Sequence, residues 1–149
     1  MNIADNQELS SHLRTHFGEG IIVHGEYVEI TIGKFERVAK YLKESLGYEF
    51  LSMITAIDYI DYFELVYRIE AFQNKATVQL KLKCEKVKPV VPSLSHLWYG
   101  ARLQEREVYD LFGIEFSNHP NLKRIVLWEG FQGYPLRKDF KVKSYDAGN

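Results

Sequence analysis

The residues best placed to do chemistry lie together in Glu105-Arg106-Glu107-Val108-Tyr109-Asp110, four charges in six positions, followed by the apolar Leu111-Phe112-Gly113-Ile114. Three carboxylates so close suggest acid–base work, which needs a poised acid, a pocket and a reacting group within hydrogen-bond reach. No nucleophile elbow, phosphate-binding loop, dinucleotide fingerprint or H-E-x-x-H helix accompanies them. The five histidines, His12, His16, His24, His96 and His119, are scattered. His12 and His16 are spaced to share a metal on one helix face, but no third ligand lies near them in sequence. Cys84 is the only cysteine, so alone it can hold neither a cluster nor a structural zinc, and it cannot close an internal disulfide. A reducing compartment follows from that usage. The sequence predicts no catalytic residue, no metal ligand and no cofactor in this chain.

The charged run needs an element to carry it. Val108, Leu111 and Phe112 share a face at helical spacing with Ala101 behind them, which predicts a helix over 101–112, with Gly113 as its left-handed end. Asp110 then sits near the C-terminus, where the helix dipole disfavours an anion. Arg106 and Asp110 are spaced i,i+4 in the weaker orientation, worth at most about 0.2–0.5 kcal/mol. A solvated charged face is one reading. The other is that Glu105, Arg106 and Asp110 pair beyond this helix, with a helix cap, a buried loop or another chain.

The remaining elements follow from periodicity. Asp5 and Glu8 form an acidic capping box for a helix to about Phe17, with Leu9, Leu13 and Phe17 inward and Gly18 ending it. Ile21–His24 and Tyr27–Ile32 read as a hairpin turned at Gly25-Glu26. Phe35 to Leu46 is a second amphipathic helix stopped by Gly47. Tyr48–Tyr59, apolar on both faces, predicts a central strand. Phe63–Ala71 and Val78–Cys84 alternate as half-exposed antiparallel strands joined at Gln73-Asn74-Lys75. Pro89 and Pro92 break the pattern, Ser93 is placed to cap a short helix through Trp98, and periodicity is lost after Ile114. The fold class is α+β: two layers, an antiparallel or mixed sheet (a hairpin plus a three-stranded meander) with helices on one face. Residues 1–128 form the domain, and residues 129–149 form an irregular C-terminal interaction arm.

With 149 residues and 46% hydrophobic content, the chain is long enough for one core. A net charge of −1 argues against a dedicated nucleic-acid binder. The charge is uneven, however. Between Lys123 and Lys143, six basic residues face Glu129 and Asp139, a local +4 against −5 elsewhere. Arginine beside Trp128, Phe131, Tyr134 and Phe140 is the composition of a protein–protein interface core. His119-Pro120 reads as a turn. No apolar run is long enough to span a bilayer, and the first residues resemble neither a signal nor a transit peptide, so the expected compartment is the cytosol.

The string EREVYDLFGIEF, with NHPNLKRI and then GYPLRKDF after it, resembles the signature of the C-subunit family of NADH:quinone oxidoreductase, respiratory complex I. SMITAIDY, within Phe50–Phe72, is similar to that family too. The chain departs from the usual pattern at Leu103, Tyr134 and Lys141. The resemblance implies a cofactor-free structural or assembly subunit of the hydrophilic, quinone-reducing arm, with the iron–sulfur clusters and flavin in partner subunits. Its implied partners are the quinone-site subunit and the cluster-bearing subunits, on the cytoplasmic side of the cell membrane. The implied subunit interface comprises Glu105, Arg106, Asp110, Phe112, His119, Arg124, Phe131, Tyr134, Leu136, Arg137, Lys138, Asp139 and Phe140. The equivalent subunit of a plastoquinone-reducing dehydrogenase or membrane-bound hydrogenase is the alternative. A free-standing anion or nucleic-acid module is the alternative from another class.

Overall fold

The computed structural model describes residues 5–142. Helix α1 (Asn6–Phe17) starts at Asp5, whose carboxylate accepts the amide of Gln7, and ends at Gly18. Strands β1 (Ile21–Val23) and β2 (Val28–Ile30) form the expected hairpin. Helix α2 (Ile32–Glu44) begins three residues before the expected Phe35, and buries Phe35, Val38, Ala39 and Leu42. The meander follows as β3 (Phe50–Asp58), β4 (Tyr62–Ala71) and β5 (Ala76–Glu85).

The sheet order is β1-β2-β5-β4-β3, with β2 and β5 parallel and the other neighbours antiparallel. This is the mixed two-layer α+β fold read from the sequence. Phe63, Leu65, Tyr67, Ile69, Val78, Leu80 and Leu82 point to one face and join Leu9, Leu13, Phe35, Leu42 and Val108 in a single core. Each such side chain contributes roughly 1.5–3 kcal/mol by leaving water. The opposite face carries ion pairs, including Glu64–Lys81 at 3.2 Å and Glu29–Lys83 at 3.0 Å.

Three expectations need correction. Strand β3 lies at the sheet edge, not at its centre. A bulge between Leu51 and Met53 puts Leu51, Ile54 and Ala56 inward together, leaving Phe50, Met53 and Ile57 on the outer face, 36–47% exposed. Its open edge is covered instead by helix α3 (Ala101–Phe112): Gln104 Oε1 accepts the amide of Ile54 at 2.7 Å and its Nε2 donates to the carbonyl of Leu51 at 3.4 Å. Residues 93–98 form a turn, not a helix, in which the amides of Leu97 and Trp98 both donate to the carbonyl of Leu94. The segments around it form a second, parallel pair, β6 (Val90–Pro92) and β7 (Glu115–Ser117), each too short to announce a period. No helix or strand follows Ser117 among the described residues, and the arm beyond Val142 lies outside them.

Candidate interaction site

Helix α3 runs over 101–112 as read from the sequence, and its inward stripe explains its unusual acid. Ala101, Glu105, Val108 and Phe112 share one face, so Glu105 occupies a core position and is 0% exposed. Its Oε1 accepts the amide of Leu94 and its Oε2 the hydroxyl of Ser93, both at 2.6 Å. Ser93 Oγ in turn accepts the amide of Ser95 at 3.1 Å, closing the turn. Burial pushes the Glu105 pKa up to about 7, with these hydrogen bonds opposing the rise.

His119 closes the same cluster. Its Nδ1 accepts the amide of Asn121 at 3.0 Å, so the proton resides on Nε2, which donates to the carbonyl of Arg102 at 2.9 Å. Glu105 Oε2 lies 3.8 Å from that Nε2. The imidazole is therefore fixed by two backbone groups and shapes the turn, as the His-Pro pair suggested.

Arg106 and Asp110 pin the loop that follows. Arg106 Nε donates to the carbonyl of Lys123 at 2.9 Å and Nη2 to that of Arg124 at 3.0 Å. Asp110 Oδ2 accepts three consecutive amides, Ile125 at 3.1 Å, Val126 at 2.7 Å and Leu127 at 2.9 Å, while Oδ1 faces Arg124 Nη1 at 3.5 Å. Converging amides of this kind form an anion-binding nest. Burial opposes the Asp110 charge, but the amides and Arg124 outweigh it and hold its pKa below the usual value. Among the options the sequence left open, a loop of the same chain is the partner of Glu105, Arg106 and Asp110 alike.

The arm is seated on the end of this helix. The last carbonyls of a helix lack intrahelical donors. Here Leu136 N donates to the carbonyl of Leu111 at 3.0 Å and Arg137 Nε to that of Phe112 at 2.5 Å, the sign of charge the helix C-terminus favours. Gly113, at φ 74°, makes room for this seat: a Cβ there would lie 2.6 Å from the Tyr134 ring and 2.8 Å from Arg137 Nη2. Two guanidiniums lie over the Tyr134 ring, Arg124 at 5.0 Å and Arg137 at 4.9 Å, and Arg124 Nη2 donates to the carbonyl of Gly133 at 2.7 Å. Phe131 lies parallel to Phe140 at 6.0 Å. Leu136 is 52% exposed, and Lys138 and Asp139 are exposed.

Sequence reasoning missed Asp58. It is buried at the end of β3, pairs with Lys86 through Oδ1 and accepts the backbone amide of Lys138 through Oδ2 at 2.9 Å. Burial again opposes its ionisation, and Lys86 and the Lys138 amide bring its pKa below the usual value. The available signal was its parity: Asp58 continues the inward run of Ile54 and Ala56, where an unpaired acid is costly. His12, the candidate metal ligand, bonds the hydroxyl of Tyr41 at 2.8 Å instead. No group of three or more potential metal-ligating side chains occurs among the described residues, and no helix there is long and apolar enough to cross a membrane.

Fold and site define a class: an α+β domain whose signature charges tie its own loops together and seat an arm on a helix end. Residues 28–146 match the family described as the respiratory-chain NADH dehydrogenase 30 Kd subunit. The C-subunit of the NADH-quinone oxidoreductase of Citrifermentans bemidjiense is 35% identical over 152 residues, covering 97% of this chain and 94% of that one. The corresponding C-subunit of Moorella thermoacetica is 43% identical over 105 residues, covering 69% and 71%. Among solved structures, the trypsin-resistant fragment (1–134) of Nqo5 superposes with a TM-score of 0.68 at 27% identity, over 78% of this chain and 99% of that one. A chain of an archaeal membrane-bound sulfane sulfur reductase superposes at 0.76 over 93% and 87%, a likeness of fold at 21% identity. The chain belongs to the C-subunit family of NADH-quinone oxidoreductase, respiratory complex I.

Proposed function

We propose that the chain is a non-catalytic, cofactor-free assembly subunit of the hydrophilic, quinone-reducing module of this complex. It sits on the cytoplasmic side of the membrane, held there by the quinone-site and cluster-bearing subunits. Glu105, Arg106, Asp110 and His119 act from within, fixing the loops that carry the contact surface. Phe131, Tyr134, Leu136, Arg137, Lys138, Asp139 and Phe140 present the surface itself.

One observation carries this reading. The charges that might have done chemistry are spent on backbone amides and carbonyls of the same chain, while the segment they fix leaves Trp128, Leu136 and Val142 largely open to solvent beside its basic residues. A partly exposed aromatic and basic surface is suited to a neighbouring protein.

The test is affinity capture of the chain from its own membranes, with mass spectrometry of what accompanies it and metal and flavin analysis of the chain purified alone. The expected result is the quinone-site and cluster-bearing subunits together with a colourless, redox-silent chain. Stoichiometric iron or flavin on the purified chain would overturn the cofactor-free role. Recovery of a plastoquinone-reducing or hydrogenase assembly would move the chain to that complex.

A further inference from the structure

We infer that a groove in the arm grips a segment of a neighbouring subunit built as a large apolar side chain flanked by carboxylates. This rests on the assembly role and names what the arm holds. The groove has a volume of about 860 Å³ and is lined chiefly by Trp128, Phe131, Tyr134, Arg137, Phe140 and Lys141. Trp128 meets Phe131 edge-on at 4.8 Å, and Phe131 lies parallel to Phe140, so three rings form one aromatic wall. Trp128 is 62% exposed and Val142 at the far end 83%. Large apolar side chains left so open on a wall fixed by hydrogen bonds await an apolar anchor.

The charge around the groove says what flanks that anchor. Arg124 is matched by Asp110. Arg137, Lys138 and Lys141 form no salt bridge among the described residues, though the Lys138 charge favours the buried Asp58 carboxylate, and Lys138 and Lys141 are exposed. Asp139 also lines the groove and Glu129 adjoins Trp128, so these three cations outnumber two acids. Arg137 is further held in place by the carbonyl of Phe112 and by stacking on Phe63 and Tyr134, so its charge is fixed in advance. A segment carrying carboxylates on either side of its anchor complements this arrangement, and a basic segment is repelled by it. Among the described residues the arm shows no strand edge to extend, so side chains and not a shared ladder provide the grip.

A photo-crosslinking residue, p-benzoylphenylalanine, placed at Val142 in the assembled complex tests this. The expected crosslink maps to a neighbouring subunit, at a large apolar residue with Asp or Glu close on both sides. The double reversal Lys138→Glu, Lys141→Glu should lower retention of the chain by about tenfold or more, the effect of losing a hot spot. A crosslink to a segment without acids, to a second copy of this chain or to nucleic acid overturns the inference, as does unchanged retention of the double variant. Failure of the unmodified chain to accompany the complex would instead strike at the assembly role itself.

Discussion

The carboxylate of Asp110 accepts the amide of Val126 at 2.7 Å, sixteen residues further along the chain. With Ile125 and Leu127 on the same oxygen, the end of helix α3 becomes the mould for the loop that leads into the arm. Asp110→Ala leaves three amides and the Arg124 guanidinium without their acceptor, and should cost about 3 kcal/mol in urea unfolding. Asp110→Asn keeps one carbonyl acceptor and should lose less. Asp110 and Asp58 both have folded pKa values below their unfolded ones. Their contributions are complete above the unfolded value of about 4 and are lost as pH falls through the folded values, so both variants should flatten the acid limb of the stability profile.

Glu105 works with the opposite sign. Its folded pKa is about 7 against an ordinary 4.5, so between these values the folded chain binds a proton that the unfolded chain does not. Stability should therefore rise as pH falls from about 7 towards 4.5. Glu105→Gln retains an acceptor for the Leu94 amide, and its melting temperature should lose that slope. An unchanged slope in the variant would assign it to another group.

Gly113→Ala tests the seat of the arm. At φ 74° an alanine costs roughly 1–2 kcal/mol, and its Cβ also displaces Tyr134 and Arg137. Hydrogen exchange at the amides of Leu136 and Lys138 should accelerate, while the core amides of β4 change little. Equal acceleration throughout would mean general destabilisation.

Gln104→Leu should expose the edge of β3 by freeing the Ile54 amide and the Leu51 carbonyl. Open edges invite pairing between chains. Analytical ultracentrifugation should detect more self-association in the variant than in the unmodified chain.

Much of this fold could be read from local pattern. The helix over 101–112, the hairpin and the three-strand meander follow from apolar spacing and the glycines that end them. The edge position of β3 could not be read, because it depends on the parallel pairing of β2 with β5 and on Gln104, fifty residues from Ile54. Pairs β6 and β7 are three residues each, too short to repeat. The signature charges stood out as unusual for a solvated helix, yet their partners lie in segments without periodicity. The arm's aromatic and basic residues were visible, but not its attachment: Lys138 meets Asp58 across eighty residues, and Leu136 and Arg137 meet carbonyls that any helix end leaves free.

The most direct measurement is made on Arg106→Ala, which removes the two bonds to the carbonyls of Lys123 and Arg124. In membranes carrying this variant, the amount of assembled NADH-quinone oxidoreductase and the quinone turnover of each assembled complex are measured separately. The account predicts fewer complexes, each turning over at the normal rate. Full assembly with slowed turnover would contradict it and place Arg106 in the chemistry or its conformational control.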